Sequence, residues 1–213
     1  MRSFTPFVFL ALCQTLFAAS LDVAVKDRSG GFVSDAVVYA QRSGASAAFA
    51  KKESVIDQRD KQFVPYVTAV QVGTSILFPN SDNIRHDVYS FSPAKKFELP
   101  LYSGVPAKPV VFDHVGFVTL GCNIHDWMIA YVAVLPTPYF QVTSQNGRAL
   151  LKNLSPGDYT VLVWQPSLKS TPESLAQQVA LSAAGSKELT FTLDLKADFR
   201  AKRAPATSTG GYR

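Results

Sequence analysis

The sequence predicts an all-β protein. Short apolar and polar alternations recur along the chain, turn residues separate them, and helical periodicity is hard to find. The clearest alternation lies near the C-terminal end, where Leu189, Phe191, Leu193 and Leu195 are interleaved with polar or charged residues. Because successive side chains of a strand point to opposite faces, this segment has one apolar and one polar face. The pattern indicates a half-buried strand.

The predicted strands follow one another at short intervals, with turns at Ser29-Gly30-Gly31, Gly73-Thr74, Gln145-Asn146-Gly147 and Ser155-Pro156-Gly157. Residues 43–50 are small and favour a linker. We place strands at residues 22–26, 33–39, 70–72, 75–78, 88–91, 110–112, 116–120, 129–135, 140–143, 149–151, 159–164 and 188–195.

The first 20 residues are typical of a secretory signal peptide. Arg2 precedes an apolar stretch over residues 7–17, and Ala18-Ala19-Ser20 supplies small residues for cleavage near Ser20. The mature chain would begin at Leu21 and be periplasmic or otherwise exported. A lipid anchor on Cys13 is the alternative, but Leu12 stands where a small residue is needed. No later run is apolar and long enough to predict a membrane span.

The net charge of +5 is concentrated at the C-terminal end. Residues 196–213 hold five bases and one acid, whereas residues 21–195 hold 15 of each. The body is therefore neutral and does not favour nucleic-acid binding. The tail over residues 196–213 is rich in Ala, Pro, Ser, Thr and Gly, which predicts a disordered basic segment.

Cys122, His125 and Met128 stand three residues apart, and His86 lies upstream. Without its signal, the chain keeps Cys122 as a single cysteine, so no internal disulfide can form. A buried apolar role for each residue is the simpler alternative. Two imidazoles, a thiolate and a weak thioether are nevertheless the donor set of a mononuclear Cu(I)/Cu(II) centre. The four residues are therefore predicted metal ligands, and no catalytic residues are predicted.

Residues 51–136 resemble a cupredoxin domain, and the spacing from His125 to Met128 resembles the short ligand loop of amicyanin rather than the longer loop of plastocyanin-like proteins. This resemblance implies a Greek-key β-sandwich with blue copper and electron transfer without enzymatic activity. It also suggests an exported protein of the methylamine-utilization type. A c-type cytochrome or a dehydrogenase would be its redox partner, with the oligomeric state open.

The flanking segments are similar to a carboxypeptidase-regulatory or transthyretin-like β-sandwich. The matching residues are Gly30-Gly31 with Asp35-Ala36-Val37, and later Gly147, Leu154 and Pro156-Gly157-Asp158-Tyr159. The predicted copper domain is then inserted into, or flanked by, this second sandwich. Its first part covers residues 21–50 with the linker, and its second part covers residues 137–195.

Several neighbours of the ligands depart from the usual cupredoxin residues. Asp87 follows the first histidine where Asn is usual, and Asn123 and Ile124 stand where Ser or Thr and Pro are usual. A solvent-facing Asp87 is favoured, and the alternative is a carboxylate beside the metal that shares a hydrogen bond with Asn123. Ordinary packing is favoured for Trp127, and the alternatives are shielding of the metal or a docking patch near His125. His114 is expected to face away from the site.

Three functions remain open from the sequence. An electron carrier ranks first, a copper chaperone or sensor comes second, and a non-redox binding module with a vestigial copper site comes third. A copper oxidase or nitrite reductase needs further histidine-rich copper sites. The chain has three histidines in all, so an enzyme of that kind is not predicted.

Overall fold

The computed structural model describes residues 18–44, 52–106 and 108–197. Within these ranges the chain forms 17 strands and one 3₁₀ helix, Pro172–Leu175, so the all-β prediction is confirmed. Most of the predicted signal, the segment over residues 45–51 and the tail from residue 198 lie outside these ranges. In the same ranges, no helix has the length and apolarity needed to cross a bilayer.

The strands are short, as the closely spaced turns predict. They are β1 Ala19–Asp27, β2 Val37–Arg42, β3 Glu53–Val55, β4 Asp57–Arg59, β5 Gln62–Val64, β6 Val67–Gln71, β7 Thr74–Leu77, β8 His86–Ser92, β9 Lys95–Tyr102, β10 Val110–Phe112, β11 Gly116–Gly121, β12 Ile129–Leu135, β13 Phe140–Val142, β14 Arg148–Leu154, β15 Gly157–Trp164, β16 Gln177–Leu181 and β17 Ser186–Leu193.

Two sheets built from both ends of the chain enclose one apolar core. The first has the order β14-β1-β17, and the second has the order β13-β2-β15-β16. β1 pairs antiparallel with β14 and parallel with β17, so the two ends of the described chain meet in one sheet. Its alternating burial matches the period of a strand with one face on the core. Val23, Tyr159 and Phe191 are among the buried residues of this core.

A second core lies beneath the middle of the chain. A five-stranded sheet with the order β6-β12-β11-β8-β9 is joined there by a smaller sheet, β10-β7-β3, and by the hairpin β4-β5. Phe78, Phe112 and Leu120 are completely buried in this core, and Cys122 and Met128 belong to it as well. The predicted ligand loop therefore starts from an apolar interior that fixes its ends.

A third apolar cluster joins the sheets of the two cores. Ala133 and Leu135 on β12 lie in it, while Val132 and Val134 on the same strand face the second core. Phe117 on β11 stacks on Trp164 of β15 with ring centroids 4.3 Å apart and planes inclined by 6°. β12 is thus buried on both faces, and the domain boundaries drawn from the sequence stay a prediction.

Several strand boundaries differ from the prediction for local physical reasons. β2 begins at Val37 rather than Val33, because Asp35 has a φ of 56°, a left-handed conformation that interrupts a strand. Val72 was predicted in a strand but lies in the turn with Gly73, while Thr74 already belongs to β7. The prediction missed β3, β4, β5, β9 and β16, which are short or carry many polar residues.

Candidate metal centre

His86 is the first residue of β8 and its side chain is completely buried. Its Nε2 lies 2.8 Å from Oδ2 of Asp82, and its Nδ1 lies 3.9 Å from Sγ of Cys122. A carboxylate accepts from an imidazole N–H, so the contact with Asp82 places the proton on Nε2. Nδ1 is then the nitrogen with a free lone pair, and it faces the thiol.

Cys122 directly follows β11 and is 5% exposed. A Cβ on the residue before it, Gly121, would lie 2.7 Å from the phenol ring of Tyr89 on β8, so glycine leaves room for that ring. The pairing of Gly121 with Tyr89 places Cys122 beside β8, the strand that begins with His86. The pairing of β11 with β12 places the following loop at the same end of the sheet.

His125 lies in the loop between β11 and β12. Its ring centroid is 4.9 Å from that of His86, and ligand atoms of His86, Cys122 and His125 all lie within 4.8 Å of one another. Nδ1 of His125 is buried and has no hydrogen-bond partner among the residues that the structure describes. A buried polar atom without a partner costs about 1–3 kcal/mol, so this nitrogen is set up for a ligand.

Met128 closes the loop that carries the other two ligands. Its backbone N–H donates to the carbonyl of His125 at 2.8 Å, and that of Ile129 donates to the carbonyl of Trp127 at 2.9 Å. These bonds form a tight turn, which explains the three-residue spacing. The Met128 side chain is 1% exposed and packs in the same core cluster as Cys122. All four predicted ligands therefore gather at this end of the sheet.

The expectation that Asp87 faces solvent is wrong, because the residue is only 3% exposed. Its Oδ1 accepts from Sγ of Cys122 at 3.0 Å and from the Asn123 amide at 2.8 Å, and its Oδ2 accepts from Nδ2 of Asn123 at 2.6 Å. Burial of a carboxylate is tolerated here because three donors replace water. The bond with Asn123 is the one that the alternative interpretation predicts.

The surroundings shift two titratable groups of the predicted ligand loop, Cys122 and His125. Burial, followed by the hydrogen bond to Asp87, raises the pKa of the Cys122 thiol. Burial, followed by the nearby His86, lowers the pKa of His125. At neutral pH the metal-free site therefore holds a protonated thiol and a neutral imidazole. Coordination of a metal would remove the thiol proton, because the thiolate is the metal-binding form.

Trp127 and His114, whose roles the sequence leaves open, lie in different surroundings. Trp127 lies with its ring centroid 5.1 Å from that of His125, and its Nε1 donates to the carbonyl of Lys61 at 3.1 Å. His114 has a side chain that is 74% exposed, contacts Asp113 at 3.1 Å and is not part of the ligand group, as expected.

Asp82 and Lys61 were missed by sequence reasoning, and their contacts depend on the fold. Asp82 stands four residues before His86, but spacing in a loop does not indicate which side chain reaches an imidazole. The contact of Lys61 with the site is through its backbone, which leaves no signal in the residue type.

The residues present fit a single mononuclear copper ion. Nδ1 of His86, Sγ of Cys122 and Nδ1 of His125 converge, and a soft thiolate with two imidazoles suits copper in both oxidation states. Met128 adds a thioether at the same end of the sheet. When bound, copper would supply one-electron redox chemistry, and the role of these side chains would be to hold it in a buried pocket.

Comparison with solved structures finds likenesses for part of the chain. A copper-containing nitrite reductase from Thermus scotoductus is 22% identical over 46% of this chain and 26% of its own, with a TM-score of 0.38. A purple cupredoxin from Nitrosopumilus maritimus is 21% identical over 38% of this chain and 99% of its own, with a TM-score of 0.35. A variant of amicyanin in its reduced Cu(I) form is 21% identical over 46% of this chain and 99% of its own, with a TM-score of 0.36.

No family model matches the sequence, and no curated protein matches it either. The likenesses to these solved structures cover at most 46% of this chain. The match spans about a quarter of the nitrite reductase chain, 26%. The ligand assignment rests on the contacts within this chain.

Proposed function

We propose that the protein is an exported type 1 copper protein that carries single electrons between redox partners. His86, Cys122 and His125 would hold the copper, and Met128 would add a weak thioether donor. One observation carries the proposal: ligand atoms of the two imidazoles and the thiol lie within 4.8 Å of one another in a largely buried cluster. This donor set with a distant thioether is the arrangement that suits blue-copper electron transfer.

The position of the ligands supports rapid electron transfer. Three ligands come from one short loop whose ends are held by β11 and β12, and the fourth begins β8. A site held on paired strands changes little in geometry when the metal changes its charge. His125 is only partly buried, so its outer edge is the favoured place for an electron to leave or enter.

The partner follows from the resemblance to amicyanin. A c-type cytochrome or a dehydrogenase in the periplasm is the proposed redox partner, and export would follow cleavage near Ser20. Ala19 and Ser20 lie in β1, where Ala19 is 1% exposed, so cleavage after Ser20 would remove the first two residues of that strand.

The test is copper reconstitution of the purified mature protein. The expected result is one copper per chain, an intense visible thiolate charge-transfer band and reversible one-electron reduction. Cys122→Ser removes the thiolate and is expected to abolish the band, whereas His114→Gln changes a histidine outside the group and is expected to keep it.

Either of two results would contradict this proposal and indicate another function. A colourless protein that binds only Cu(I) with high affinity would identify a copper-handling protein. A protein that neither binds copper nor develops colour, but retains a binding partner after Cys122→Ala, would identify a non-redox binding module.

A further inference from the structure

The Asp82 carboxylate connects a metal-ligand candidate to a hairpin turn. Its Oδ2 contacts Nε2 of His86 at 2.8 Å and accepts from the Lys61 amide at 2.9 Å, and its Oδ1 accepts from the Asp60 amide at 2.7 Å. The Asp82 amide itself donates to Oδ1 of Asn80 at 3.0 Å. The carboxylate is therefore held from several sides, and it points at the imidazole nitrogen that faces away from Cys122.

Lys61 reaches the second ligand segment through its carbonyl group. While its amide donates to Asp82, its carbonyl accepts from Nε1 of Trp127 at 3.1 Å. Trp127 is part of the turn between His125 and Met128. The backbone of a single residue thus bridges the segment before His86 and the loop that carries the other three ligands.

The turn that carries Lys61 has a defined shape and a fixed base. Asp60 and Lys61 have φ values of 54° and 57°, as in the two-residue turns that fit the twist of a hairpin. Below the turn, Gln58 is fully buried and its backbone N–H donates to the carbonyl of Pro79 at 2.9 Å. Phe63 on the other strand is 3% exposed and lies in the core. The hairpin is therefore anchored to the body of the protein.

We infer that the Asp60–Lys61 turn is a brace between the two ligand segments, in which Asp82 is a positioning residue that keeps Nδ1 of His86 directed at Cys122. The inference rests on the proposed copper function, because the brace would serve to hold the copper ligands in place. The hydrogen bonds that carry it belong to the protein alone. A carboxylate on the far nitrogen of a ligating histidine fixes its tautomer and ring orientation, and loss of such a partner typically weakens metal binding about 10–100-fold.

The first experiment measures the histidine tautomer in the metal-free protein by nitrogen NMR. His86 is expected to carry its proton on Nε2 in the wild type. In Asp82→Asn the side-chain amide can donate to Nε2, so a shift of the proton to Nδ1 is expected. Asp113→Asn is the matched control, because Asp113 also contacts a histidine, His114, which is not part of the ligand group. Retention of the Nε2–H tautomer in Asp82→Asn would overturn the role of Asp82.

The second experiment tests whether the brace acts as one unit. Copper(II) affinity is measured for Asp82→Asn, Trp127→Phe and the double variant. Asp82→Asn is expected to lose about 10–100-fold, and Trp127→Phe, which loses one hydrogen bond, on the order of fivefold. Because both bonds meet at Lys61, the double variant is expected to lose little more than Asp82→Asn alone. Losses that multiply to within about twofold would show independent sites and overturn the brace.

A third measurement tests the brace without Asp82→Asn, in case that variant does not fold. Hydrogen exchange of the Lys61 amide is compared between the wild type and Trp127→Phe, with Trp164→Phe as the control. Faster exchange of this amide in Trp127→Phe alone supports the brace, and unchanged exchange contradicts it. The hydrogen-exchange and tautomer measurements need no copper. They therefore test the brace even if copper reconstitution contradicts the proposed function.

Discussion

The carboxylate of Asp87 accepts a hydrogen bond from Sγ of Cys122 at 3.0 Å in a pocket where both residues are at most 5% exposed. With copper bound, the sulfur has no proton to donate, and Asp87 then lies beside a thiolate. A negative group next to the metal stabilises Cu(II) more than Cu(I), because the charge difference between the two states is one unit. Asp87 is therefore expected to lower the reduction potential.

Asp87→Asn is expected to raise the potential by about 60 mV or more, which is roughly tenfold in the redox equilibrium constant. The amide keeps the size of the side chain and can donate to the sulfur. Voltammetry of the copper-loaded protein measures the shift, with Asp113→Asn as a control for loss of one surface charge. An unchanged or lowered potential would mean that Asp87 does not act on the metal through its charge.

The residues around the proposed copper ligands show what sequence reasoning can reach. The grouping of Cys122 and His125 with His86 was predictable, because the chemistry and spacing of the loop residues pointed to one site and that site required a second imidazole. The burial of Asp87 was not predictable, since strand alternation alone does not show which neighbours cover a loop end. The contact with Asp82 was also out of reach, because it depends on how the β4–β5 hairpin packs against a distant segment.

The same holds for the fold. Apolar alternation located β1 and β17, whose burial follows the period of a strand, and nearly continuous apolar runs located β12 and β15. The prediction missed β9 although its apolar residues Phe97, Leu99 and Leu101 alternate with polar residues or proline, because Pro100 argues against a strand. A proline is tolerated there because β9 lies at the edge of its sheet.

Copper binding is expected to release a proton from Cys122. Burial and the bond to Asp87 raise the pKa of this thiol, so the metal-free protein is protonated there at neutral pH. Because the thiolate is the metal-binding form, affinity is expected to rise about tenfold per pH unit as long as the thiol stays protonated. The lowered pKa of His125 keeps its imidazole neutral and limits competition from a second proton to acidic pH.

Calorimetry in buffers with different ionisation enthalpies counts the released protons. About one proton per copper is expected near neutral pH. His114→Gln should release the same number, since His114 lies outside the ligand group. Binding without proton release would show that Cys122 is already a thiolate or does not coordinate.

Tyr102 sets an alkaline limit on stability. Burial, the largest influence, raises its pKa to about 12, and its hydroxyl donates to the carbonyl of Phe78. An unfolded tyrosine titrates near pH 10, so the folded state favours the neutral phenol. The contribution of Tyr102 is therefore complete below about pH 10 and is lost as pH rises toward 12.

Urea unfolding across this pH range tests the assignment. The free energy of unfolding of Tyr102→Phe is expected to fall less steeply between about pH 10 and 12 than that of the wild type. At neutral pH it should cost about 1–3 kcal/mol, because a buried carbonyl and the Gln58 amide lose a partner. Tyr89→Phe serves as the control on the same sheet. Equal alkaline slopes in wild type and Tyr102→Phe would assign the loss of stability to other groups.

The stack of Phe117 on Trp164 is expected to couple the ligand-bearing sheet to the sheet that contains β15. The rings are 4.3 Å apart and nearly parallel, and Tyr131 of β12 approaches the same tryptophan at 6.1 Å. Trp164→Ala removes these contacts and leaves a void, so we expect a loss of about 3 kcal/mol in the free energy of unfolding. Phe91→Ala is the control, because Phe91 is 79% exposed and should change stability by less than about 0.5 kcal/mol.

A double-mutant cycle of Phe117→Ala and Trp164→Ala is expected to give a coupling of about 1 kcal/mol, the usual value for an aromatic pair beyond its buried area. Additive losses would contradict the coupling, since the stack would then contribute no more than the separate burial of its two rings.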